Sequence, residues 1–153
     1  MPYLVDGHNL IPKLGLHLDS PDDELQLVGI LQEFARLSRR EVQVYFDGAP
    51  AGEARTRKFG TVTAHFIRRG SSADEAIKAR VKKLGPTARN WTVVTSDRAI
   101  QTSARAAHAR VMSAEDFAAE FHRLRHSAQK KSEDSSLSDE ELSEWLKLFD
   151  KRG

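Results

Sequence analysis

A chain of 153 residues with 39% hydrophobic residues and a net charge of +2 can form one domain with a real core, but hardly two. It contains no cysteine, which excludes disulfides, thiolate zinc sites and cysteine nucleophiles, so any metal must be held by oxygen or imidazole. Its first residues lack a signal-peptide pattern and no apolar run approaches the roughly 18 residues of a membrane span, so we expect a soluble, cytoplasmic protein without a membrane partner.

Short β-rich runs alternate with longer amphipathic runs along the chain. This pattern is typical of a mostly parallel sheet with crossover helices, so the predicted fold class is α/β. Each β-rich run is short and apolar enough to be a strand buried on both faces. The five predicted strands are Tyr3–Asp6, Val42–Asp47, Val62–Ile67, Trp91–Thr95 and Arg110–Met112.

The predicted helices are recognised by their starts, where a side-chain oxygen satisfies backbone N–H groups of the first turn. Capping patterns at Ser20, Ser72 and Ser113 predict three helices, and Gly85 with the proline after it ends the second. A further helix is expected from Arg98 to about residue 107. These helices would cover the two faces of the sheet.

The end of the chain changes in composition. The run from Ser127 to Ser136 has no residue able to anchor a core, so residues 127–137 are predicted to be a linker after a domain over residues 1–126. A further capping box then precedes an apolar stripe, which predicts a C-terminal amphipathic helix over residues 138–153. The sequence leaves open whether this helix docks on its own domain, another subunit or a partner.

Acidic residues fall where the predicted strands end. Asp6 and Asp47 end the first two strands, Asp97 follows the fourth, and Asp74 lies in the first turn of a crossover helix. In an open parallel sheet these positions meet at one edge, where strand order reverses and ligands bind. Clustered carboxylates repel one another unless a cation neutralises them, and ligands that are all oxygens favour Mg²⁺ or Mn²⁺ over zinc.

Three of these acids also have a purely structural interpretation. Asp74 suits a helix start, Asp97 could cap the next helix, and Asp47 could belong to an ordinary turn. Asp6 is harder to explain in this way, because it directly follows an apolar strand. Asn9 adds a second oxygen-bearing side chain three residues later, and Gly7 would allow a tight turn between them.

Positive charge is concentrated in the middle of the chain. The net charge is −5 over residues 1–54, +11 over 55–131 and −4 over 132–153. Such a segment is the expected footprint of a phosphate-backbone binder, although a solvated lysine-rich face would give the same pattern. The candidate nucleic-acid-binding residues are Arg55, Arg57, Lys58, Arg68, Arg69, Lys82, Lys83 and Arg98.

Four short segments carry a recognisable pattern in a fixed order. They are Tyr3–Leu10, with the run Asp-Gly-His-Asn, then Val44–Gly48, Ser72–Ile77 and Val93–Arg98. In this order and spacing they resemble the NYN domain, specifically its YacP-like branch, and with the elements between them they extend from residue 3 to about residue 121.

The resemblance implies a PIN-like three-layer fold with strand order 3-2-1-4-5 and endonucleolytic hydrolysis of RNA by a metal-activated water. Under it, Asp6, Asp74 and Asp97 would be the catalytic ligands of Mg²⁺ or Mn²⁺. Asn9 would orient a ligand or the scissile phosphate, and Ser96 would support the metal site or a phosphate. The basic residues named above would then bind RNA.

Other polar and aromatic residues near these motifs are less clearly assigned. Asp47 is a further candidate ligand. Its strand lies on the side of the first strand away from Asp97, so Asp47 could instead be a supporting group. His8 and His65 titrate near neutral pH, but a metal-activated water needs no imidazole base, and we expect His65 to be structural. Phe59, in an apparent basic loop, could either stack on a base or anchor the loop.

Other classes of function share parts of this sequence pattern. A non-catalytic RNA-binding or ribosome-associated module of the same fold would keep the basic surface, but the three carboxylates argue against it. An aspartyl phosphatase is disfavoured because His8 stands where a second Asp is needed. A nucleotide-binding Rossmann domain is disfavoured because no G-x-G-x-x-G follows the first strand. We therefore expect the partner to be mRNA or another single-stranded RNA in RNA decay, with the ribosome as a further candidate and the oligomeric state open.

Overall fold

The computed structural model describes residues 2–15, 22–49, 52 and 55–130. Its strands are β1 (Tyr3–Asp6), β2 (Val42–Ala49), β3 (Arg55–Phe59), β4 (Val62–Arg68), β5 (Thr92–Val94) and β6 (Arg110–Met112). Its α-helices are α1 (Gly7–Leu10), α2 (Asp22–Ser38), α3 (Ala73–Leu84), α4 (Arg98–Ala106) and α5 (residues 114–130). Short 3-10 helices cover Ile11–Leu14 and Gly85–Asn90. Within these ranges, no helix is both long and apolar enough to cross a membrane.

The strands form one sheet in the order β3-β4-β2-β1-β5-β6, in which only β3 runs antiparallel to its neighbour. The five strands predicted from the sequence all form, and they lie in the predicted order. The expected strand count was wrong, because Arg55–Phe59, interpreted as a basic loop, is a sixth strand at the edge. Gly60, with a φ of +67°, provides the left-handed residue of the two-residue turn to β4.

The central strands bury both faces, which gives the fold three layers. On one face, α2 and α5 pack with Val5 and Phe46, and the Phe34 and Phe117 rings lie 4.6 Å apart. On the other face, α3 and α4 pack against a second core that includes Leu4. This is the predicted arrangement of helices on both sides of a mostly parallel sheet.

Two predicted helix starts are observed as caps. Ser72 Oγ accepts a hydrogen bond from the backbone N–H of Glu75 at 3.0 Å, and Ser113 Oγ accepts one from Asp116 at 3.0 Å. Helix α5 continues through residues 127–130, which the sequence had assigned to the linker. The predicted cap at Ser20, the rest of the linker and the predicted C-terminal helix lie outside the described residues.

Gly7 connects β1 to α1 at a point where no side chain fits. A Cβ at this position would clash with the Phe46 ring and would lie 2.9 Å from the carbonyl oxygen of Tyr45. Its φ is not among the positive values, so the absence of a side chain, rather than the expected tight turn, explains this glycine. The close packing fixes where Asp6 and Asn9 stand on either side of it.

We expect Gly7→Ala to lower the free energy of unfolding by about 1–3 kcal/mol, because an added methyl group must displace a buried ring. Gly29→Ala is the matched control, since Gly29 is exposed in α2 and a Cβ there meets no atom within 4 Å. That variant should gain about 0.5–1 kcal/mol, since alanine is the better helix former. Urea unfolding of both variants checks this, and equal effects would contradict the packing argument.

Candidate active site at the carboxyl edge of the sheet

The structure brings the predicted acids to the carboxyl edge of the sheet. Asp6 ends β1, Asp97 follows β5, and Asp74 lies in the first turn of α3. Because strand side chains alternate, Asp6 shares the face of Leu4, against which α3 and α4 pack. The three residues therefore lie around the crevice between β1 and β5, where the chain order reverses.

The carboxyl group of Asp6 is strongly perturbed by its surroundings. Burial raises its pKa from 3.8 to about 6, and the negative charges of Asp47 and Asp97 add to that rise. The Thr95 hydroxyl opposes it by donating a 3.2 Å hydrogen bond to Asp6 Oδ2. A cation beside Asp6 would favour the ionised form of its carboxyl group, so this carboxylate is a suitable cation ligand.

Asp74 has one oxygen in an ion pair and one without a partner. Its Oδ2 lies 3.3 Å from Lys78 Nζ, whose distance to Glu75 Oε1 is 3.7 Å. Its Oδ1 is buried and has no hydrogen-bond partner among the described residues. The hydrogen bond to Asp74 is the main cause of the raised Lys78 pKa, and Asp97 contributes to the same rise, so the ammonium group lies near both acids.

Asp97 caps helix α4, as its structural interpretation predicted. Its Oδ1 accepts hydrogen bonds from the backbone N–H groups of Ala99 at 2.8 Å and Ile100 at 3.3 Å. Both hydrogen bonds are accepted by the same oxygen, so Oδ2 takes no part in the cap. Its backbone N–H also donates to the Thr95 hydroxyl at 3.1 Å, which links Asp97 to the residue that holds Asp6.

Asn9 and Ser96 hold the loops of the site together. Asn9 Oδ1 accepts a 2.7 Å hydrogen bond from the Ser96 backbone N–H. The Ser96 hydroxyl donates to Glu115 Oε2 at 2.8 Å and accepts from the N–H of Ala114 at 3.0 Å. In this structure both side chains are therefore engaged in joining α1, the loop after β5 and α5.

Asp47 is engaged with His8. The distance from His8 Nδ1 to Asp47 Oδ1 is 2.6 Å, and that from His8 Nε2 to Glu24 Oε1 is 3.5 Å. Hydrogen bonding to Glu24, followed by the effects of Asp47, raises the pKa of His8, although its own burial opposes the rise. Of the two roles considered for Asp47, this geometry offers the supporting one.

His65 and Phe59 both have structural surroundings. His65 lies 3.0 Å from Thr56 Oγ1 and 3.2 Å from Gln43 Oε1, and it stacks on Tyr45 with ring centroids 4.5 Å apart. Phe59 packs against the core beneath α2, and the Arg57 guanidinium covers its ring at 5.0 Å. Both side chains thus have the satisfied, anchoring contacts of structural residues.

The structure divides the candidate RNA-binding residues into separate groups. Arg68, Arg69 and Arg98 lie at the carboxyl edge near the acids, and all three are exposed. Exposed side chains also follow β3, from Arg55 at the same edge through Arg57 and Lys58. Lys82 and Lys83 lie in the last turn of α3, about 12 Å from Asp74 along the helix axis.

The donors suit an oxygen-bound ion, but their present contacts do not assemble a closed site. Within residues 2–15, 22–49, 52 and 55–130, no three acidic or histidine side chains are grouped closely enough to hold a metal ion. Lys78 occupies one oxygen of Asp74, and the α4 cap uses one of Asp97. The unpartnered Asp74 Oδ1 and the perturbed Asp6 carboxyl fit Mg²⁺ or Mn²⁺ in donor chemistry.

Sequence reasoning missed three residues that shape this edge. Lys78 stands four residues after Asp74 on a helix, a spacing that could have indicated the ion pair. Thr95 is fully buried beside Asp6, and the hydroxyl between the strand and the turn was a weak signal. Glu115 meets Ser96 only through the fold, so no local pattern could have identified it.

A doubly wound sheet with carboxylates at its carboxyl edge and basic residues around them is the arrangement expected of the PIN-like nuclease fold. The sequence model of the YacP-like NYN domain matches residues 3–150, and the chain belongs to that family. The fold predicted from the resemblance is thereby confirmed, with six strands instead of five.

Solved structures have a similar fold. The crystal structure of Rae1 (YacP) from Bacillus subtilis is 24% identical, with a TM-score of 0.69 over 99% of this chain and 93% of that one. A single-substitution variant of Rae1 is 25% identical, with a TM-score of 0.70 over 89% and 83% of the two chains. No curated protein matches the chain.

We expect Asp6→Asn to stabilise the protein at alkaline pH but not in acid. The carboxyl binds its proton more tightly in the folded protein than in the unfolded one, so ionising it lowers the free energy of unfolding between about pH 4 and about pH 7. Asparagine removes that cost and can still accept from Thr95. The gain should approach about 2–3 kcal/mol above this range.

Urea unfolding in EDTA at a series of pH values measures this gain. The difference between Asp6→Asn and the wild type should increase with pH and then level off. A difference that is constant with pH, or one that decreases as pH rises, would show that ionisation of Asp6 does not lower the free energy of unfolding.

Proposed function

We propose that the protein is a metal-dependent endoribonuclease in which Asp6, Asp74 and Asp97 hold Mg²⁺ or Mn²⁺. The observation that carries the proposal is the position of Asp6, a half-buried carboxyl whose pKa is raised to about 6 beside further carboxylates. Natural proteins retain such destabilising groups mainly at functional sites. Membership of the YacP-like NYN family supports the same reading.

The chain's own residues have distinct roles in this proposal. The bound ion supplies Lewis-acid chemistry, since it makes water more acidic and offsets charge on the phosphate. The Thr95 hydroxyl holds the orientation of Asp6 through its 3.2 Å hydrogen bond. Lys78 is paired with Asp74 in this structure, and it would be available to the RNA phosphate if Asp74 held a cation.

Single-stranded RNA, such as mRNA, is the proposed substrate. Arg68, Arg69 and Arg98 lie exposed at the edge that holds the acids, and Arg55 begins the neighbouring edge strand. Such a rim attracts a phosphate backbone without reading its sequence. A role in RNA decay follows, and the ribosome is a candidate to present the strand to so small an enzyme.

A second candidate function is a non-catalytic RNA-binding or ribosome-associated module of the same fold. It is favoured by the present contacts of the acids, because Lys78 forms an ion pair with Asp74 and one oxygen of Asp97 caps α4. Under this function the carboxylates would stabilise helix starts, and the basic rim alone would act.

We expect Asp74→Asn to reduce RNA cleavage by about 100-fold or more, while leaving the fold and RNA binding close to wild type. The variant keeps the side-chain size but removes a charged ligand. Asp116→Asn is the matched control, since Asp116 is an exposed acid in the first turn of α5 whose carboxylate forms no hydrogen bond or ion pair within the described residues. Cleavage of a labelled single-stranded RNA with Mn²⁺ and with EDTA, together with binding in EDTA, measures both properties.

The outcomes separate the two candidate functions. Metal-dependent cleavage that is lost in Asp74→Asn and kept in Asp116→Asn supports the nuclease. Cleavage at the wild-type rate by Asp74→Asn would contradict the proposed metal site. RNA binding by the wild type with no cleavage under any divalent metal would favour the non-catalytic module.

A further inference from the structure

A cleft of about 800 Å³ lies between α3 and α4, and neither the family match nor the acid cluster accounts for it. It lies in the helical layer that covers the face of the sheet shared by Asp6, and its size is within the range of pockets that bind small organic molecules. Its walls are α3, the 3-10 helix at Gly85–Asn90, and the end of α4 with the residues after it.

The lining combines a small apolar surface with positive charge. Ala79, Ala106 and Pro86 line it without bulky side chains, so a flat apolar group can approach the helices. Lys78, Lys82 and Arg89 also line it. The one acidic lining residue, Glu75, already lies 3.7 Å from Lys78 Nζ, so the cleft has an excess of positive charge.

The cleft begins at the proposed active site. Lys78 lines one end of it and also forms the 3.3 Å ion pair with Asp74. From there the lining continues along α3 to Lys82 and Gly85. The helical span from Glu75 to Gly85 corresponds to about 15 Å, which places Lys82 and Arg89 beyond the reach of the scissile phosphate itself.

We propose that this cleft is a subsite for the RNA strand next to the cleaved bond. One nucleotide lies with its base against the alanines of α3 and α4, and the phosphate that follows it lies on Lys82 and Arg89. A base supplies a flat apolar face and a phosphate supplies the anion, so a nucleotide matches both features of the lining. This subsite rests on the proposed nuclease function, because its position is defined relative to Asp74.

The first test compares two double variants that remove equal charge. Lys82→Ala with Arg89→Ala changes the cleft, whereas Arg105→Ala with Arg110→Ala changes exposed residues that neither line the cleft nor belong to the candidate RNA-binding residues. Binding of a fluorescent single-stranded RNA is measured in EDTA over a range of salt concentrations. The cleft variant should bind about tenfold more weakly than the comparison variant, with a salt dependence reduced by about one phosphate contact.

The second test fills the cleft without changing charge. Ala106→Trp places a large side chain over the apolar lining, and Ala119→Trp adds the same side chain to an exposed position of α5. Only the first should weaken RNA binding. AMP serves as a mononucleotide probe, which should compete with RNA for the wild type but not for Ala106→Trp, whereas binding of AMP without competition would overturn the strand assignment.

Cleavage in Mn²⁺ is measured on the same variants, so that the two proposals fail separately. If the wild type cleaves RNA and the cleft variants bind RNA as tightly as the comparison variants, the proposed subsite is wrong and the nuclease proposal stands. Absence of cleavage, with RNA binding still lost in the cleft variants, would remove the nuclease and retain the cleft as an RNA-binding site. Absence of RNA binding by the wild type would overturn the subsite.

Discussion

A carboxylate held at the buried end of a central strand is the constraint on which the site depends. The pKa of Asp6 is raised above that of an ordinary aspartate, because burial and neighbouring acids oppose its negative charge. Ionised Asp6 therefore lowers the stability of the fold, and nearby residues fix the arrangement of the site. Gly7, which has no side chain, lets the chain pack closely against Phe46, and Thr95 donates to the carboxylate. Lys78 brings positive charge beside Asp74 and near Asp97.

The five main strands could be predicted because each is a short apolar run, and β1, β2 and β5 are buried on both faces. Four helix starts were also readable, and the caps at Ser72, Ser113 and Asp97 form. Strand β3 was not predictable in the same way. Its exposed residues, Arg55 to Lys58, look like a loop, and only pairing with β4 makes them a strand.

The site was predictable to the extent that it is local in sequence. Acids at strand ends could be assigned to one edge, but their partners could not, because Ser96 meets Glu115 and His8 meets Glu24 only in the folded chain. Asp97 shows why a structural and a functional interpretation need not exclude each other. One of its oxygens caps α4, and the other is not used by that cap.

Titration of the metal-free protein with Mn²⁺ by calorimetry, in buffers of different ionisation enthalpy near pH 6, tests the central claim most directly. If Asp6 belongs to a metal site, the wild type binds Mn²⁺ and releases protons, because the ion displaces the proton that its raised pKa retains. Asp6→Asn and Asp74→Asn then bind far more weakly, and Asp116→Asn binds as the wild type does. Equal binding by all four proteins, or no binding by the wild type, would contradict the account.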